Sequence, residues 1–295
     1  MKHVFIVNPA AGNGAVSAFV KEQICGRPEC EIYETKGKRD ATAYIHSRCA
    51  RSEEPLCFVA CGGDGTVNEV ASGVAMNPNA SMTVLPMGSG NDFVKAFGGA
   101  EHFMDVDALL RAQPRPIDIL KVGDRWAVNA FHFGLDAAVA KTMNDVKAKP
   151  LIGGRNAYPT GVAKALVFNM KTWCRMEVDG EGFHEGNMLL CTIANGQYVG
   201  GSYRCAPRSL PDDGLAEICL VKPVSRLRFL NLMNAYKAGS HLDDPRFNGM
   251  ICYRRGSVID VSGRPGFMVS LDGEIVAGES FRIEVVHGGV LFASP

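Results

Sequence analysis

The sequence predicts an α/β protein in two parts: an N-terminal domain on a parallel sheet, then a β-rich, antiparallel, sandwich-like domain. Three observations carry this. Buried-strand runs alternate with amphipathic helix-length segments through about residue 120. After Pro114–Arg115–Pro116 the texture changes to short alternating runs, several separated by Asp–Gly pairs. The length, 295 residues, suits about two domains. The boundary is placed between residues 122 and 123, with the extreme C-terminus able to pack back on the first domain.

Each element has its own signal. Residues 4–7 form an apolar run that ends at Asn8–Pro9. Residues 15–24 carry Val16, Phe19, Val20 and Ile24 at helical spacing. Residues 31–35 read as a strand, and 40–51 as a helix opened by Asp40. Residues 56–61 are continuously apolar. Residues 66–76 set Val67, Val70, Ala71 and Val74 on one helical face. A strand at 81–85 and helices at 91–97 and 102–111 complete the first part. In the second part, 117–122 and 126–131 flank Gly123–Asp124 as a hairpin. Strands follow at 174–178, 188–194, 215–221, 257–261, 267–271 and 281–286. Helical stretches at 136–145, 161–170 and 227–237 interrupt them.

Composition narrows the classes. Apolar residues are 46% of the chain and charged ones 21%, enough to bury a large core. Thirty-one basic residues balance thirty-one acidic ones, which argues against a nucleic-acid partner. The ten cysteines show no C-x-x-C pair, so reduced thiols in a cytosolic setting are expected. The four apolar residues after His3 are too few for a signal peptide, and no run approaches a bilayer span.

Three glycine-bearing segments follow strands directly. The strongest is Cys61–Gly62–Gly63–Asp64–Gly65–Thr66–Val67–Asn68–Glu69, which opens an amphipathic helix. Its glycines let backbone N–H groups approach an anion, with the helix dipole assisting. Gly63 is expected to need both that close approach and a positive φ. Asp64 suits a cation bridging phosphates or a ribose hydroxyl. The second is Pro86–Met87–Gly88–Ser89–Gly90–Asn91–Asp92–Phe93, and the third is Asn8–Pro9–Ala10–Ala11–Gly12–Asn13–Gly14. Ligands of open α/β sheets bind at such strand ends. No P-loop string and no G-x-S-x-G elbow is present. Later, Asp272–Gly273–Glu274 reads by spacing alone as a hairpin turn with two acids.

Taken together, N-P-x-x-G, G-G-D-G-T-x-N-E and P-x-G-S-G-N-D-F resemble the diacylglycerol kinase catalytic domain family. That family includes bacterial soluble lipid kinases and the sphingosine and ceramide kinases. The resemblance continues through Asn129 to Asp136, Ile193 to Gly196, Gly200–Gly201, Ala206–Pro207, Asp212 to Leu215 and Leu271 to Glu274. Ser89 departs from it, because bacterial members usually carry Thr there. The resemblance implies an ATP- and Mg²⁺-dependent lipid kinase, with diacylglycerol converted to phosphatidic acid as the leading reaction. An NAD kinase-like phosphotransferase and a non-catalytic nucleotide- or lipid-binding module of the same fold stand as alternatives. The Gly88–Ser89–Gly90 loop and Asp212–Asp213–Gly214 speak against the NAD kinase.

By position, the resemblance places Asn8, Pro9, Ala10, Ala11, Gly12, Thr35, Gly62, Gly63, Asp64, Gly65, Thr66, Asn68, Glu69, Gly88, Ser89 and Asn91 around the nucleotide. It implies a catalytic Mg²⁺ network of Asp64, Asp92 and Asp118. A structural Mg²⁺ would sit at Leu210, Asp213 and Leu215. Asp272 and Glu274 would supply the catalytic base, with the choice between them open. The expected partner is a lipid substrate at a membrane surface. A homodimer is left open, and the expected place is the cytoplasm or the inner membrane surface. Residues 141–175 carry seven basic residues against Asp145, beside apolar ones such as Leu151, Ile152 and Phe168. That pattern suits an anionic bilayer or, equally, a solvated helix face.

Overall fold

The computed structural model describes residues 1–135, 137–139, 141–142 and 170–295. Four parallel strands run in the order β2-β1-β3-β4: β1 (Lys2–Val7), β2 (Cys30–Glu34), β3 (Leu56–Gly62) and β4 (Ala80–Pro86). Every residue of β3 and β4 is buried, as expected of parallel strands covered on both faces. Three helices connect them: α1 (Val16–Gln23), α2 (Asp40–Cys49) and α3 (Asp64–Val74).

The sheet does not stop at β4. The last strand, β16 (Ser280–Ala293), lies parallel beside it, with Leu291 opposite Ser81 and Phe292 opposite Met82. From β16 the sheet continues antiparallel through β13 (Val258–Gly263), β8 (Thr172–Val178) and β9 (Glu181–Met188). The strands β5 (Pro114–Val122) and β6 (Arg125–Ala127) branch from β16 as a hairpin about Gly123–Asp124, but the strand expected at 126–131 is divided, and its end at 130–131 belongs to the other sheet. The four parallel strands are thus part of a ten-stranded mixed sheet. The physical reason is the apolar outer edge of β4, whose backbone groups would otherwise lack partners. Phe292 anchors the junction, with its ring 5.0 Å from that of Phe93 and 4.6 Å from that of Phe97.

A six-stranded antiparallel sheet packs over the far half. Its order is β12 (Ile251–Gly256), β11 (Ala216–Val221), β10 (Leu190–Ala194), β7 (Ala130–Gly134), β14 (Met268–Leu271) and β15 (Glu274–Ala277). Phe131, Phe133, Ile193, Ile218 and Val269 point into the shared core, where they meet Ile259 and Ile283. The other face is covered in part by α5 (Arg226–Ala238), which Ser225 caps at one end and Gly239 (φ 78) closes at the other. Leu232 and Tyr236 of α5 pack with Leu190 and Val221.

Two expected helices differ in kind. Residues 91–97 form only a 3-10 turn, Phe93–Phe97, ended by Gly98 at φ 100. The helix expected at 102–111 is split into a 3-10 turn, Ala100–Phe103, and α4 (Val106–Arg111). Asp105 causes the split, because its carboxylate caps α4 by accepting from Ala108 N–H at 3.1 Å. Of the helix expected at 136–145, residues 137–139 and 141–142 are helical and the rest lies outside the described residues, as do the helix expected at 161–170 up to residue 169 and the basic stretch between residues 143 and 169. Among the described residues no helix is long and apolar enough to cross a membrane.

Candidate active site

The carboxyl ends of β1 to β4 gather the glycine segments. After β1, Asn8 N–H donates to Cys61 O at 3.3 Å, and the Asn8 side chain accepts from Ala10 N–H at 3.0 Å. A 3-10 turn, Ala11–Gly14, follows Pro9 and Ala10. Thr35 N–H donates to Val7 O at 2.8 Å, so Thr35 sits beside Asn8 at the end of β2.

The loops after β3 and β4 are joined through their backbones. Met87 N–H donates to Gly62 O at 2.9 Å. A Cβ on Gly63 would lie 3.2 Å from Gly88 Cα, and one on Gly88 would overlap Gly63 outright. Gly62 is crowded by the Thr66 side chain, while Gly65 has open space. Gly63 itself has φ −97, so close approach and not a positive φ demands glycine there. The left-handed residue of the second loop is Asn91 at φ 48. Its side chain closes that loop by accepting from Gly88 N–H at 3.1 Å and donating to Gly88 O at 2.9 Å. Ser89 stands exposed at the tip.

The acids expected in one metal network are divided. Asp64 opens α3, and its Oδ1 accepts from Asp92 N–H at 2.6 Å. Burial pushes its carboxyl up to about 6, and the Asp92 charge adds to this. Asp64 Oδ2 faces the Gly90 backbone, where a Cβ would come within 2.7 Å. Asp92 is turned to the second domain. It pairs with Lys95 at 2.6 Å and accepts from Gly201 N–H on both oxygens, at 3.0 and 2.9 Å. Asp118 is elsewhere. Fully buried, it accepts from Gly214 N–H at 2.6 Å, Gly288 N–H at 2.9 Å and His287 Nδ1 at 2.7 Å. Asp118 is thus bonded to the turn at 211–214, and no direct hydrogen bond among the described residues joins it to Asp64 or Asp92.

Two residues of the strongest segment, Asn68 and Glu69, turn away from the glycine loop. Glu69 accepts from Ala41 N–H at 3.3 Å and so caps α2. Asn68 donates through Nδ2 to Asp272 Oδ2 at 2.8 Å and to Trp126 O at 2.9 Å. The helix that starts in the glycine loop is thereby bonded to the acid turn between β14 and β15.

In that turn Asp272 has φ 43 and is held by four donors. Besides Asn68 they are the backbone N–H groups of Val128 (2.7 Å), Asn129 (3.1 Å) and Ala130 (2.8 Å). Burial raises its proton affinity, and these donors work against that rise. Glu274, exposed, lies 3.7 Å from both Lys38 and Arg125. At the other turn, Leu210 is exposed, Asp213 accepts from Leu215 N–H at 3.1 Å, and Asp213 forms an ion pair with Arg255.

A divalent cation can be tested against these donors. Asp64 fits one, since Oδ2 carries no hydrogen bond among the described residues and hard cations take carboxylate oxygen. Asp92 and Asp118 do not fit, because their oxygens are filled by N–H donors. At Asp213 the Arg255 guanidinium stands against the carboxylate. Sequence reasoning missed Lys95, Arg255 and His287, and it named Gly201 without its bond to Asp92. Only Lys95 had a local signal, three residues after Asp92.

A glycine-loop sheet opposed by a carboxylate turn on a second β domain defines a two-domain phosphotransferase. Residues 2–122 match the diacylglycerol kinase catalytic domain, and residues 129–292 match the YegS C-terminal NAD kinase beta sandwich-like domain. A "Probable lipid kinase YegS-like" protein of Pseudomonas syringae pv. syringae (strain B728a) is 31% identical over 265 residues, covering 89% of this chain and 83% of that protein. The chain belongs to the YegS-like lipid kinase family. The like-named protein of Enterobacter sp. (strain 638) is 27% identical, covering 94% of this chain and 90% of its own length. A crystal structure of a diacylglycerol kinase from Bacillus anthracis str. Sterne shares the fold, with TM-score 0.72 at 20% identity over all of this chain and 97% of that one.

Proposed function

We propose that this enzyme transfers the γ-phosphoryl group of ATP to the free hydroxyl of a diacylglycerol, giving phosphatidic acid and ADP. One observation carries the reading: Asn68, six residues beyond Gly62, bonds directly to Asp272, so the glycine loops and the acid turn share one connected frame. Bound phosphates would lie against the backbone N–H groups at the start of α3, beside Asn8 to Gly12, Thr35 and Ser89. A Mg²⁺ ion, when bound through Asp64 Oδ2, would neutralise charge on the phosphoryl oxygens.

The acceptor hydroxyl needs a base as its oxygen bonds to phosphorus and the bridging P–O bond breaks. Asp272 has its acceptor positions filled by four N–H donors, so it positions the turn. Glu274, exposed between Lys38 and Arg125, takes the proton. Lys38 and Arg125 keep that carboxylate beside the cleft between the domains. The substrate's hydrocarbon chains bring the enzyme to a membrane surface, where it works as a peripheral protein.

The test is labelled ATP supplied with mixed micelles of diacylglycerol, sphingosine or ceramide, or with NAD in solution. Label in phosphatidic acid supports the reading. Label only in another product, or in none, overturns it.

A further inference from the structure

The outer face of the six-stranded sheet changes character along its strands. At one end Leu190 and Val221 lie under Leu232 and Tyr236 of α5. At the other, Ala130 and Ala194 lie under Ala206, next to the N–H groups that hold Asp272. Between the two ends runs a polar row. Thr192 of β10 is opposite His132 of β7, which is opposite Ser270 of β14. Thr192 and Ser270 are 0% exposed and His132 is 4% exposed. Yet Thr192 Oγ1, Ser270 Oγ and His132 Nδ1 have no hydrogen-bond partner among the described residues. Buried polar groups are nearly always paired, so three orphans in register call for a partner that the described residues do not supply.

The row's chemistry limits that partner. Burial pushes His132 down to about 4, so its ring is neutral near pH 7 and offers one donor and one acceptor. The row continues through Cys219 and Tyr253 on one side and Ile275 on the other, none of them a carboxylate or a cation. The row itself offers neutral donors and matches neutral acceptor oxygens, with the Glu217 carboxylate beside it at the Ala194 end. Its place limits the partner further. Ser270 precedes Asp272 by two residues, and His132 follows Ala130 by two, a step of about 7 Å along a strand. A lipid hydroxyl at the acid turn would therefore have its next polar atoms at the row and its chains toward Leu190 and Val221.

We propose that Thr192, His132 and Ser270 form a donor row that receives the ester carbonyl oxygens of the diacylglycerol. This rests on the lipid kinase reading and adds the group by which the lipid is chosen. The test compares a short-chain diacylglycerol with its dialkyl ether analogue, which keeps the hydroxyl and lacks the carbonyls. Wild type should favour the diester through KM. Thr192→Val and Ser270→Ala should each raise the diester KM about 3–10-fold, the effect of one hydrogen bond. Values of kcat, the ATP KM and the ether KM should hold. Since the hydroxyls are orphaned in the lipid-free protein, both variants should melt no lower than wild type. Unaltered ester-over-ether preference in both variants, or lower melting of both, overturns the donor row. If wild type turns over neither glycerolipid, the diacylglycerol reading falls and takes this inference with it. If wild type uses both equally well, the reading stands and the donor row alone is refuted.

Discussion

Asp272 and Glu274 stand two residues apart and do different work. The Asp272 carboxylate is the acceptor on which residues 128–130 and Asn68 converge. In Asp272→Asn an amide N–H₂ replaces one acceptor oxygen and faces donors, leaving buried groups unpaired. That variant should lose melting temperature as well as turnover. Glu274→Gln removes only an exposed charge. It should melt as wild type does, bind ATP with similar affinity, and lose about 10²–10⁴-fold in single-turnover rate, the usual scale of general base catalysis. Similar rates in Glu274→Gln and wild type would move the base elsewhere. The pair of acids was plain in the sequence, but their division of labour was not. The donors that fill Asp272 come from about 140 and 200 residues earlier in the chain, a distance over which no spacing rule operates.

At the scale of the element, the loops after β3 and β4 act as a single device because their backbones touch. Gly88→Ala would push Cβ into Gly63 and part the loops, whereas Gly65→Ala has room. By calorimetry, Gly88→Ala should lose most of its ATP affinity. Gly65→Ala should fold with wild-type melting temperature, and equal ATP affinity in Gly88→Ala would separate the loops from nucleotide binding. The glycine strings and the strand-to-helix context of α3 were legible because both are local. The reason for glycine was not, since a contact between Gly63 and Gly88 exists only once two strands are side by side. Helix boundaries went astray for a nearer cause. The Asp105 cap divides the 102–111 stretch that apolar spacing alone joins into one helix.

At the scale of the molecule, the change from parallel to antiparallel texture near residue 114 was visible in the sequence, but the ten-stranded sheet was not. Nothing local to residues 280–293 states that they pair with β13 and β5 along one stretch and with β4 at the end. Phe292, 2% exposed among Phe93, Phe97 and Phe103, ties the closing strand to the first four. Phe292→Ala should cost about 3–5 kcal/mol in urea denaturation, typical for deleting a buried aromatic ring. A loss under about 1 kcal/mol would mean that β16 closes the sheet without it.

The order of synthesis gives that last strand another meaning. A ribosome making this chain releases β1 to β4 early, with a bare apolar edge on β4, and β16 emerges after every other strand. Until then the growing chain presents an open strand of the kind that recruits neighbouring chains. The first four strands are therefore flanked only once β16 has followed, and for all of that time the nascent protein depends on whatever shields the flank of β4.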